Sequence, residues 1–301
     1  MSAPPRLRRV AILGVGLIGG SVAAGIRARG LADEVVGQGP GPDAQRALAL
    51  GLIDRVVDDP GDAVAAADLV VLAAPVPVLP GLLQRLAPCL PQDAVVTDCG
   101  STKRSVIAAA AAALGPAFPR FVAGHPIAGG ERHGPEAARA DLFVDRLAIL
   151  CPDPATSTDA LARVRRLWTG LGARLADMAA DEHDALFAEV SHWPHAVAFA
   201  LCGAIASGPR AEAAQTFAGA GLRDTTRIGA SSAALWADIL IDNRDAVLAC
   251  AQAFERELQA IAAALAAGDR AQLLAHFEAA SQWRRGLPQP GGAAPGQAPS
   301  N

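Results

Sequence analysis

The sequence lacks several features that mark particular classes of protein. Its five cysteines include no C-x-x-C pair, lysine occurs only at Lys103, and tyrosine is absent. Unpaired cysteines at irregular spacing argue against a disulfide framework and against a cysteine-rich metal site. We therefore expect reduced thiols and a cytoplasmic location. The absence of tyrosine excludes nothing by itself.

Charge and hydrophobic runs exclude two further classes. The net charge is −4 at pH 7, so the composition does not indicate the basic surface that a nucleic-acid-binding protein needs. The longest strongly apolar run, residues 196–206, is too short to span a bilayer. The N-terminal residues MSAPPRLRR carry charge without an apolar segment, so we expect no signal peptide. With 51% hydrophobic residues, the chain can bury a sizeable core in one or two domains.

Strand-like segments alternate with alanine-rich helical stretches from residue 7 to residue 178. Each segment is short and rich in Val, Ile, Leu or Ala. This alternation predicts an α/β, Rossmann-like, doubly wound and mainly parallel sheet covered on both faces. The predicted strands are Arg9–Leu13, Glu34–Gly37, Leu69–Ala73, Ala94–Asp98, Phe121–Ala123, Leu147–Cys151 and Ala173–Asp177.

Residues 179–286 show no convincing strand and predict an all-helical region. Ala180–Ser207 reads as a helix that Pro194 kinks or splits. Leu235–Ala267 reads as one long helix, ended by Gly268, and Asp269 is a good N-cap for a last helix. The remaining residues, 287–301, are rich in Gly, Pro, Ala and Gln and are expected to be disordered.

The long predicted helix carries an apolar stripe with heptad-like steps. The stripe is either a core face within one subunit or an interface between subunits, and periodicity alone does not separate the two. Its members are Leu240, Val247, Cys250, Phe254, Leu258, Ile261 and Leu265.

A glycine motif follows the first predicted strand. In "VAILGVGLIGGS" (10–21), Gly14 permits a tight turn, Gly16 lets the main chain approach a pyrophosphate, and Gly19 allows close helix–strand packing. The order strand, motif, helix and second strand predicts a dinucleotide site. The expected cofactor-binding residues are Gly14, Gly16, Leu17, Ile18, Gly19, Gly39, Ala74, Pro75 and Ser101.

The end of the second strand leaves the choice of dinucleotide open. An NAD-selective site usually carries Asp or Glu there to bind the ribose hydroxyls. Here the stretch "EVVGQGPGPD" places Gly39 at this point, and the first carboxylate, Asp43, comes late. The nearest arginine that could favour NADP is Arg46. The sequence therefore predicts NAD or NADP without choosing between them.

Two loops after later strands carry polar side chains. "VVTDCGSTK" provides Asp98, Ser101 and Lys103, and "FVAGHPIAGGERHG" (121–134) provides His125 and Glu131. The carboxyl ends of strands line the ligand crevice of such sheets, so Ser101 and His125 should converge. A serine hydroxyl can orient an imidazole, and a neutral imidazole can take a proton from an alcohol as hydride leaves. Asp98 and Lys103 form either a local ion pair or part of the chemistry.

The helical region carries two more clusters. "DEHDALFAEVSHWPH" contains His183, His192 and His195; no third ligand has metal-site spacing, so we expect no metal and a polar lining of a substrate cleft. "GAGLRDTTRIGASSAALW" (219–236) contains Arg223 and Arg227, four residues apart. Such a pair suits the capture of carboxylates, although a salt bridge with the intervening Asp224 at a helix start is the alternative. Of the loop histidines, His133 reads as simply exposed.

Taken together, five stretches resemble the prephenate/arogenate dehydrogenase family of tyrosine biosynthesis, in collinear order from about residue 8 to 285. They are "GVGLIGGS", "DCGSTK", "GHPIAGGERHG…LF", "DEHD…SHWPH" and "GLRDTTRIGASS…LW". The resemblance implies a nucleotide-binding domain over 7–178, a helical substrate and dimerisation domain over 179–286, and a homodimer. It also implies NAD(P)-dependent oxidative decarboxylation of prephenate to 4-hydroxyphenylpyruvate, of arogenate to tyrosine, or of both.

The resemblance also assigns roles to individual residues. His125 matches the catalytic histidine, Ser101 its partner serine, and Arg227 the carboxylate-binding arginine. Gly39 replaces the family's frequent Asp. The remaining matches are His192, His195 and Trp236 in the substrate lining, Glu131 as a loop acid at its entrance, and Arg223 where some members carry Lys.

Two alternatives share part of this pattern. A β-hydroxyacid dehydrogenase or imine reductase has the same two-domain plan, but the hydroxyacid enzymes use a helix lysine where this chain reads "SHWPHAVAF". A non-catalytic nucleotide-sensing protein would need the glycine loop but not Ser101, His125 and Arg227 together. Prephenate-dependent reduction of the cofactor separates these possibilities.

Overall fold

The computed structural model describes residues 6–130 and 132–287. An eight-stranded sheet has the order β3-β2-β1-β4-β5-β6-β7-β8, and every neighbouring pair is parallel except β6 with β7. The predicted mainly parallel sheet is thus confirmed. The strands are β1 (Leu7–Leu13), β2 (Ala32–Gln38), β3 (Arg55–Val56), β4 (Leu69–Leu72), β5 (Val95–Asp98), β6 (Phe121–Pro126), β7 (Leu147–Cys151) and β8 (Arg174–Asp177).

Helices cover both faces of the sheet, as the apolar strands require. In β1, Val10 and Ile12 belong to one buried cluster, whereas Ala11 and Leu13 belong to a second cluster on the opposite face. A strand that is apolar on both sides must be covered on both sides, which explains the absence of alternating polarity. The helices around the sheet are α1 (Leu17–Arg29), α2 (Asp43–Ala49), α3 (Pro60–Val64), α4 (Leu79–Leu86), α5 (Arg104–Leu114) and α6 (Thr158–Gly170).

Two strand predictions need correction. The prediction for β6 ended at Ala123, but the strand continues to Pro126, so His125 lies inside a strand. The reason is antiparallel pairing with β7, where His125 lies opposite Ile149. The two-residue strand β3 was missed, because so short a segment has no periodicity of its own.

The described residues after Ala179 contain helices and no strand, as predicted. None of the described helices is long and apolar enough to cross a membrane. The helices are α7 (Ala180–Phe187), a π-helical turn (Ala188–His192), α8 (Trp193–Ala206), α9 (Ala211–Thr216), α10 (Ala220–Thr226), α11 (Ala233–Asp242), α12 (Arg244–Ala267) and α13 (Arg270–Arg285).

One helix prediction is refined and another was wrong. The predicted interruption of the Ala180–Ser207 helix is a π-helical turn that ends directly before α8, whose second residue is Pro194. The predicted Leu235–Ala267 helix is divided at Asn243, whose side chain is fully buried and hydrogen-bonded to other segments. The stripe from Leu240 onward therefore crosses two helices.

The predicted helix ends are confirmed elsewhere. The last long helix, α12, ends at Ala267, and Gly268 follows it with a φ of +64°. The side chain of Asp269 accepts a hydrogen bond from the main-chain N–H of Gln272 at 2.9 Å, and this cap starts α13. The segment predicted to be disordered, residues 287–301, lies outside the described residues from residue 288 onward.

The polypeptide forms two compact units, Met1–Val247 and Leu248–Asn301. Helices α7 to α11 therefore belong to the same compact unit as the sheet. A functional division at residues 178 and 179 stays a prediction.

A buried ion pair ties the ends of β5 and β6 together. The side chains of Asp98 and Lys103 are fully buried and in contact, which confirms the ion-pair interpretation. The Lys103 ammonium also donates to the carbonyl oxygen of Gly124 at 2.7 Å. The Asp98 carboxylate accepts the main-chain N–H groups of Gly100 at 2.8 Å and Gly124 at 3.0 Å. This arrangement fixes the loop that contains Ser101.

Loss of the lysine should destabilise the fold. Lys103→Met leaves the Asp98 carboxylate buried without its cation, so we expect the free energy of unfolding to fall by about 3–5 kcal/mol in urea denaturation. Arg85→Met is the matched control, because it breaks the Arg85–Asp59 pair on the exposed surface. Equal losses in the two variants would contradict a structural role for the buried pair.

Candidate active site

The glycine motif forms an open cradle at the start of α1. Gly14 has a φ of +96°, and a Cβ added there would lie 2.5 Å from the carbonyl oxygen of Ala73. Gly16 is the N-cap of α1 without a side-chain cap, and nothing lies within 4 Å of a Cβ added to it. Leu17 and Ile18 form the first turn, with main-chain N–H groups at the positive end of the helix dipole. These residues fit a pyrophosphate.

The other predicted cofactor residues lie at the same edge of the sheet. Gly39 follows β2, Ala74 and Pro75 follow β4, and Ser101 follows β5. The edge is compact: a Cβ added to Gly19 would lie 3.1 Å from the Cβ of Ala73. The strand order reverses between β1 and β4, which is where such sheets bind ligands.

The region after β2 has space, and the arginine of the following helix is paired. A Cβ added to Gly39 would have no neighbour closer than 3.9 Å, so a ribose hydroxyl or a larger group has room. Arg46 pairs with Asp43 at 2.5 Å and with Glu136 at 2.8 Å. Its guanidinium is therefore engaged by two carboxylates, which weakens it as an anchor for a 2′-phosphate.

His125 is the first of three polar groups in a row. Its Nδ1 lies 2.8 Å from Nε2 of His183, and Nδ1 of His183 lies 2.8 Å from a carboxylate oxygen of Asp184. Phe187 packs against both rings, with centroid distances of 4.9 Å and 4.5 Å. The predicted orienting partner, Ser101, makes no hydrogen bond with His125 in the described part of the chain. His183 takes that place, because the extended β6 points the imidazole towards α7.

The electrostatic environment keeps both imidazoles neutral. Burial, with smaller contributions from His183 and Lys103, holds the pKa of His125 well below its usual value. Burial also lowers the pKa of His183, although the hydrogen bond to Asp184 opposes this effect. For Asp184, burial opposes ionisation, but hydrogen bonds from His183, Arg104 and Lys103 lower the pKa overall. At neutral pH the row is thus a carboxylate followed by two neutral rings.

Asp184 also holds the start of α5. Its carboxylate accepts the main-chain N–H of Lys103 at 2.7 Å and that of Arg104 at 3.0 Å. The side-chain amide of Asn243 donates to the main-chain oxygen of Asp184 at 2.7 Å and lies 3.1 Å from Nδ1 of His192. One hydrogen-bonded network therefore links the Ser101 loop, α7 and the π-helical turn.

His192, His195 and Trp236 form a second cluster beside this network. The rings of His195 and Trp236 stack at 3.4 Å, and the His192 ring meets Trp236 edge-on at 6.2 Å. Burial lowers the pKa of His192 to about 4, although the negative charge of Asp184 opposes this shift. Burial also lowers the pKa of His195, and the charge of Arg227 adds to the shift. The cluster is a neutral aromatic wall with a nearby cation.

The remaining predicted residues lie further out or cannot be placed. Arg227 occupies an exposed 3-10 turn, Arg227–Ala230, close enough to act on His195. Arg223 is exposed in α10, donates to the main chain of Ala218 at 3.2 Å, and forms no described ion pair with Asp224. His133 is exposed, as predicted. Glu131 lies outside the described residues. No described group of three or more His, Cys, Asp or Glu residues is placed to hold a metal.

The sequence interpretation missed Asp184 and Asn243. Both are almost fully buried, yet Asp184 bonds Lys103, 81 positions away, and Asn243 bonds Asp184, 59 positions away along the chain. For Asp184, the only sign in the sequence was its place next to a histidine in a predicted helix. For Asn243, the only sign was a residue type that can break a helix. Neither signal identifies a partner.

Comparison with known proteins fits this geometry. The family model for the nucleotide-binding domain of prephenate dehydrogenase matches residues 22–177, and the model for its dimerization domain matches residues 179–279. The chain belongs to the prephenate dehydrogenase family. The resemblance found in the sequence is thereby confirmed.

Individual relatives in the prephenate dehydrogenase family cover almost the whole chain. The cyclohexadienyl dehydrogenase of Zymomonas mobilis is 36% identical over 93% of this chain and 96% of its own length. The structure of prephenate dehydrogenase from Aquifex aeolicus in complex with hydroxyphenyl propionate and NAD+ has a TM-score of 0.86 and 32% identity, covering 94% of this chain and 99% of that one. Synechocystis arogenate dehydrogenase has a TM-score of 0.77 and 27% identity, with coverage of 92% and 99%.

Proposed function

We propose that this protein catalyses the NAD(P)-dependent oxidative decarboxylation of prephenate to 4-hydroxyphenylpyruvate, of arogenate to tyrosine, or of both. The observation that carries the proposal is the neutral His125, backed by His183 and Asp184, at the sheet edge that carries the glycine cradle. Relatives named prephenate, cyclohexadienyl and arogenate dehydrogenase support the substrate class. The hydroxyacid dehydrogenase and nucleotide-sensing alternatives receive no comparable support.

The side chains divide the chemistry between them. When bound in the glycine cradle, the dinucleotide supplies the hydride acceptor. His125 takes the proton of the substrate hydroxyl as hydride leaves the carbon that bears this hydroxyl. A base of this type contributes roughly 10²–10⁴ in rate. Arg227 binds a substrate carboxylate, and the wall of His192, His195 and Trp236 lines the ring site. Loss of carbon dioxide then makes the ring aromatic, which drives the reaction forward.

The proposal assigns the two functions to two parts of the chain. Residues 7–178 bind the dinucleotide, and residues 179–286 provide the substrate wall and the dimer contacts. We propose that Ser101 contacts the cofactor and the substrate from its loop after β5. Arg223 assists carboxylate binding at the edge of the substrate site, and Glu131 lies at the entrance of that site. The cytoplasmic location stays a prediction based on the cysteines.

One assay tests the proposed function. Purified protein is incubated with prephenate or arogenate and with NAD or NADP, and reduced cofactor and aromatic product are measured together. We expect equal amounts of both with at least one substrate. A panel of β-hydroxyacids serves as the comparison, and turnover of these alone would overturn the assignment.

His125→Asn should remove the base while preserving a hydrogen-bonding side chain. We expect kcat to fall by at least ~10², with KM within a few-fold, because a base acts mainly in the transition state. The matched control is His133→Asn, which changes an exposed loop histidine. Near-normal turnover in the His125 variant would remove this residue from the mechanism.

Cofactor choice should be relaxed. Gly39 neither binds the ribose nor repels a 2′-phosphate, and Arg46 is held by two carboxylates. We expect kcat/KM for NAD and NADP within about 30-fold, or roughly 2 kcal/mol. Gly39→Asp should shift both kcat/KM and the dissociation constants measured by calorimetry towards NAD. A thousandfold preference in the unmodified protein would mean that another residue discriminates.

We also propose a homodimer formed through the helical part. Within the second compact unit, Leu258 and Leu265 of the apolar stripe are 55% and 62% exposed, which is costly for leucines on a helix in water. The dimerization model supports this part of the proposal. Sedimentation should therefore show about twice the chain mass of 30.6 kDa at micromolar concentration. Leu258→Glu should shift the mass towards the monomer, whereas Gln252→Glu should not, and a monomeric unmodified protein would refute the dimer.

A further inference from the structure

Three groups in a row determine which nitrogen of His125 carries the proton. We propose that Asp184 and His183 are positioning residues that hold His125 as its Nδ1–H tautomer, which leaves the lone pair of Nε2 for the substrate hydroxyl. The inference rests on the proposed function for its catalytic meaning, but the tautomer itself is a property of the protein alone.

The carboxylate sets the direction of the first hydrogen bond. Asp184 accepts two main-chain N–H groups, from Lys103 and Arg104, and its lowered pKa keeps it ionised at neutral pH. An ionised carboxylate has no proton to give. The 2.8 Å contact with His183 therefore requires His183 Nδ1 to donate. Since His183 is neutral, its Nε2 is left as an acceptor.

The second hydrogen bond follows from the first. Nε2 of His183 lies 2.8 Å from Nδ1 of His125, a contact that two lone pairs cannot make. Nδ1 of His125 must therefore carry the proton and donate it. In a neutral ring the other nitrogen, Nε2, then holds a lone pair. No described residue makes a hydrogen bond to this Nε2, so it is available for the substrate.

The surroundings preserve this arrangement. Phe187 packs against both imidazoles, so neither ring can turn without losing a contact and a hydrogen bond. The charged or titratable groups that face the pair are Lys103, whose charge is balanced by Asp98, and His192, whose pKa of about 4 keeps it neutral. Once His125 accepts a proton on Nε2, its Nδ1–H still donates to His183, whose own Nδ1–H still donates to the Asp184 carboxylate. No proton needs to reach Asp184.

The Asp184 carboxylate also connects His125 with the loop that contains Ser101. Its acceptance of the Lys103 and Arg104 N–H groups caps α5 directly after the loop that contains Ser101. A change at Asp184 thus acts on the orientation of His125 and on the loop position at once. This predicts an effect mainly on kcat, since the side chain itself touches neither ligand.

Nitrogen NMR tests the tautomer without substrate. The chain has six histidines, so protein labelled with ¹⁵N-histidine gives six pairs of ring signals, and His125→Asn identifies the His125 pair by its loss. At pH 7.5 we expect a protonated Nδ1 and an unprotonated Nε2 for His125 and for His183. An Nε2–H tautomer at His125 in the unmodified protein would overturn the proposal, whatever the dehydrogenase assay shows.

Asp184→Asn tests the relay in turnover. Asp184 Oδ1 accepts from His183 and from the Lys103 N–H, whereas Oδ2 accepts from the main-chain N–H and the guanidinium of Arg104. The amide nitrogen of the variant avoids the charged guanidinium by replacing Oδ1, where it faces the Lys103 N–H but offers its own N–H to Nδ1 of His183. This reverses both hydrogen bonds and places the proton on Nε2 of His125. The same change in a Ser-His-Asp triad acts through the wrong tautomer and costs about 10⁴ in kcat. We expect a fall of about 10²–10⁴ in kcat, KM within a few-fold, and an Nε2–H signal for His125.

Asp181→Asn is the matched control. Asp181 lies on the same helix and near the same Arg104, but its side chain is 90% exposed and takes no part in the row. It should leave kcat and the NMR signals unchanged. Equal losses in both Asn variants, or an Asp184→Asn protein with an unchanged His125 tautomer, would overturn the relay. If Asp184→Asn does not fold, the ¹⁵N spectrum of the unmodified protein still decides whether His125 is the Nδ1–H tautomer. A protein that turns over neither prephenate nor arogenate overturns the proposed function but not the tautomer.

Discussion

The carboxylate of Asp184 is almost fully buried, and a buried charge is costly unless every oxygen is hydrogen-bonded. That requirement is met by two main-chain N–H groups at the start of α5 and by the ring of His183. Satisfying one carboxylate therefore places α7 against α5, orients the His183 ring, and through it orients His125. The orientation of His125 and the packing of the two segments have the same physical cause.

A second buried charge system lies beside the first. Lys103 and Asp98 neutralise each other and bind the main chain of Gly100 and Gly124, which joins β5, β6 and the loop between β5 and α5. The Ser101 loop is thus held at both ends, by Asp98 before it and by Asp184 after it. Rigid support from two sides is what a site needs when the positions of a base and a cofactor must agree within a fraction of an ångström.

The sequence predicted those features that depend on local chemistry. Alternating apolar segments indicated the parallel sheet, Gly14 and Gly16 indicated the turn before α1, and strand order then brought His125 and Ser101 to one edge. Contacts between distant residues could not be predicted, because nothing near Asp184 identifies Lys103 as its partner 81 positions away. For the same reason the contact between His125 and His183 was not predicted, and the break at Asn243 was read as continuous helix.

A double-mutant cycle in kcat tests the central claim, that Asp184 acts on catalysis through His125. Turnover of the better substrate is measured for the unmodified protein, Asp184→Asn, His125→Asn and the double variant, all under saturating cofactor. If the carboxylate works mainly by orienting the base, only its smaller effect on the Ser101 loop remains once the base is gone, so the double variant should lie much closer to His125→Asn than to the product of the two single effects. A double variant slower by the full product of the two single effects would contradict the account, because Asp184 would then contribute independently of His125.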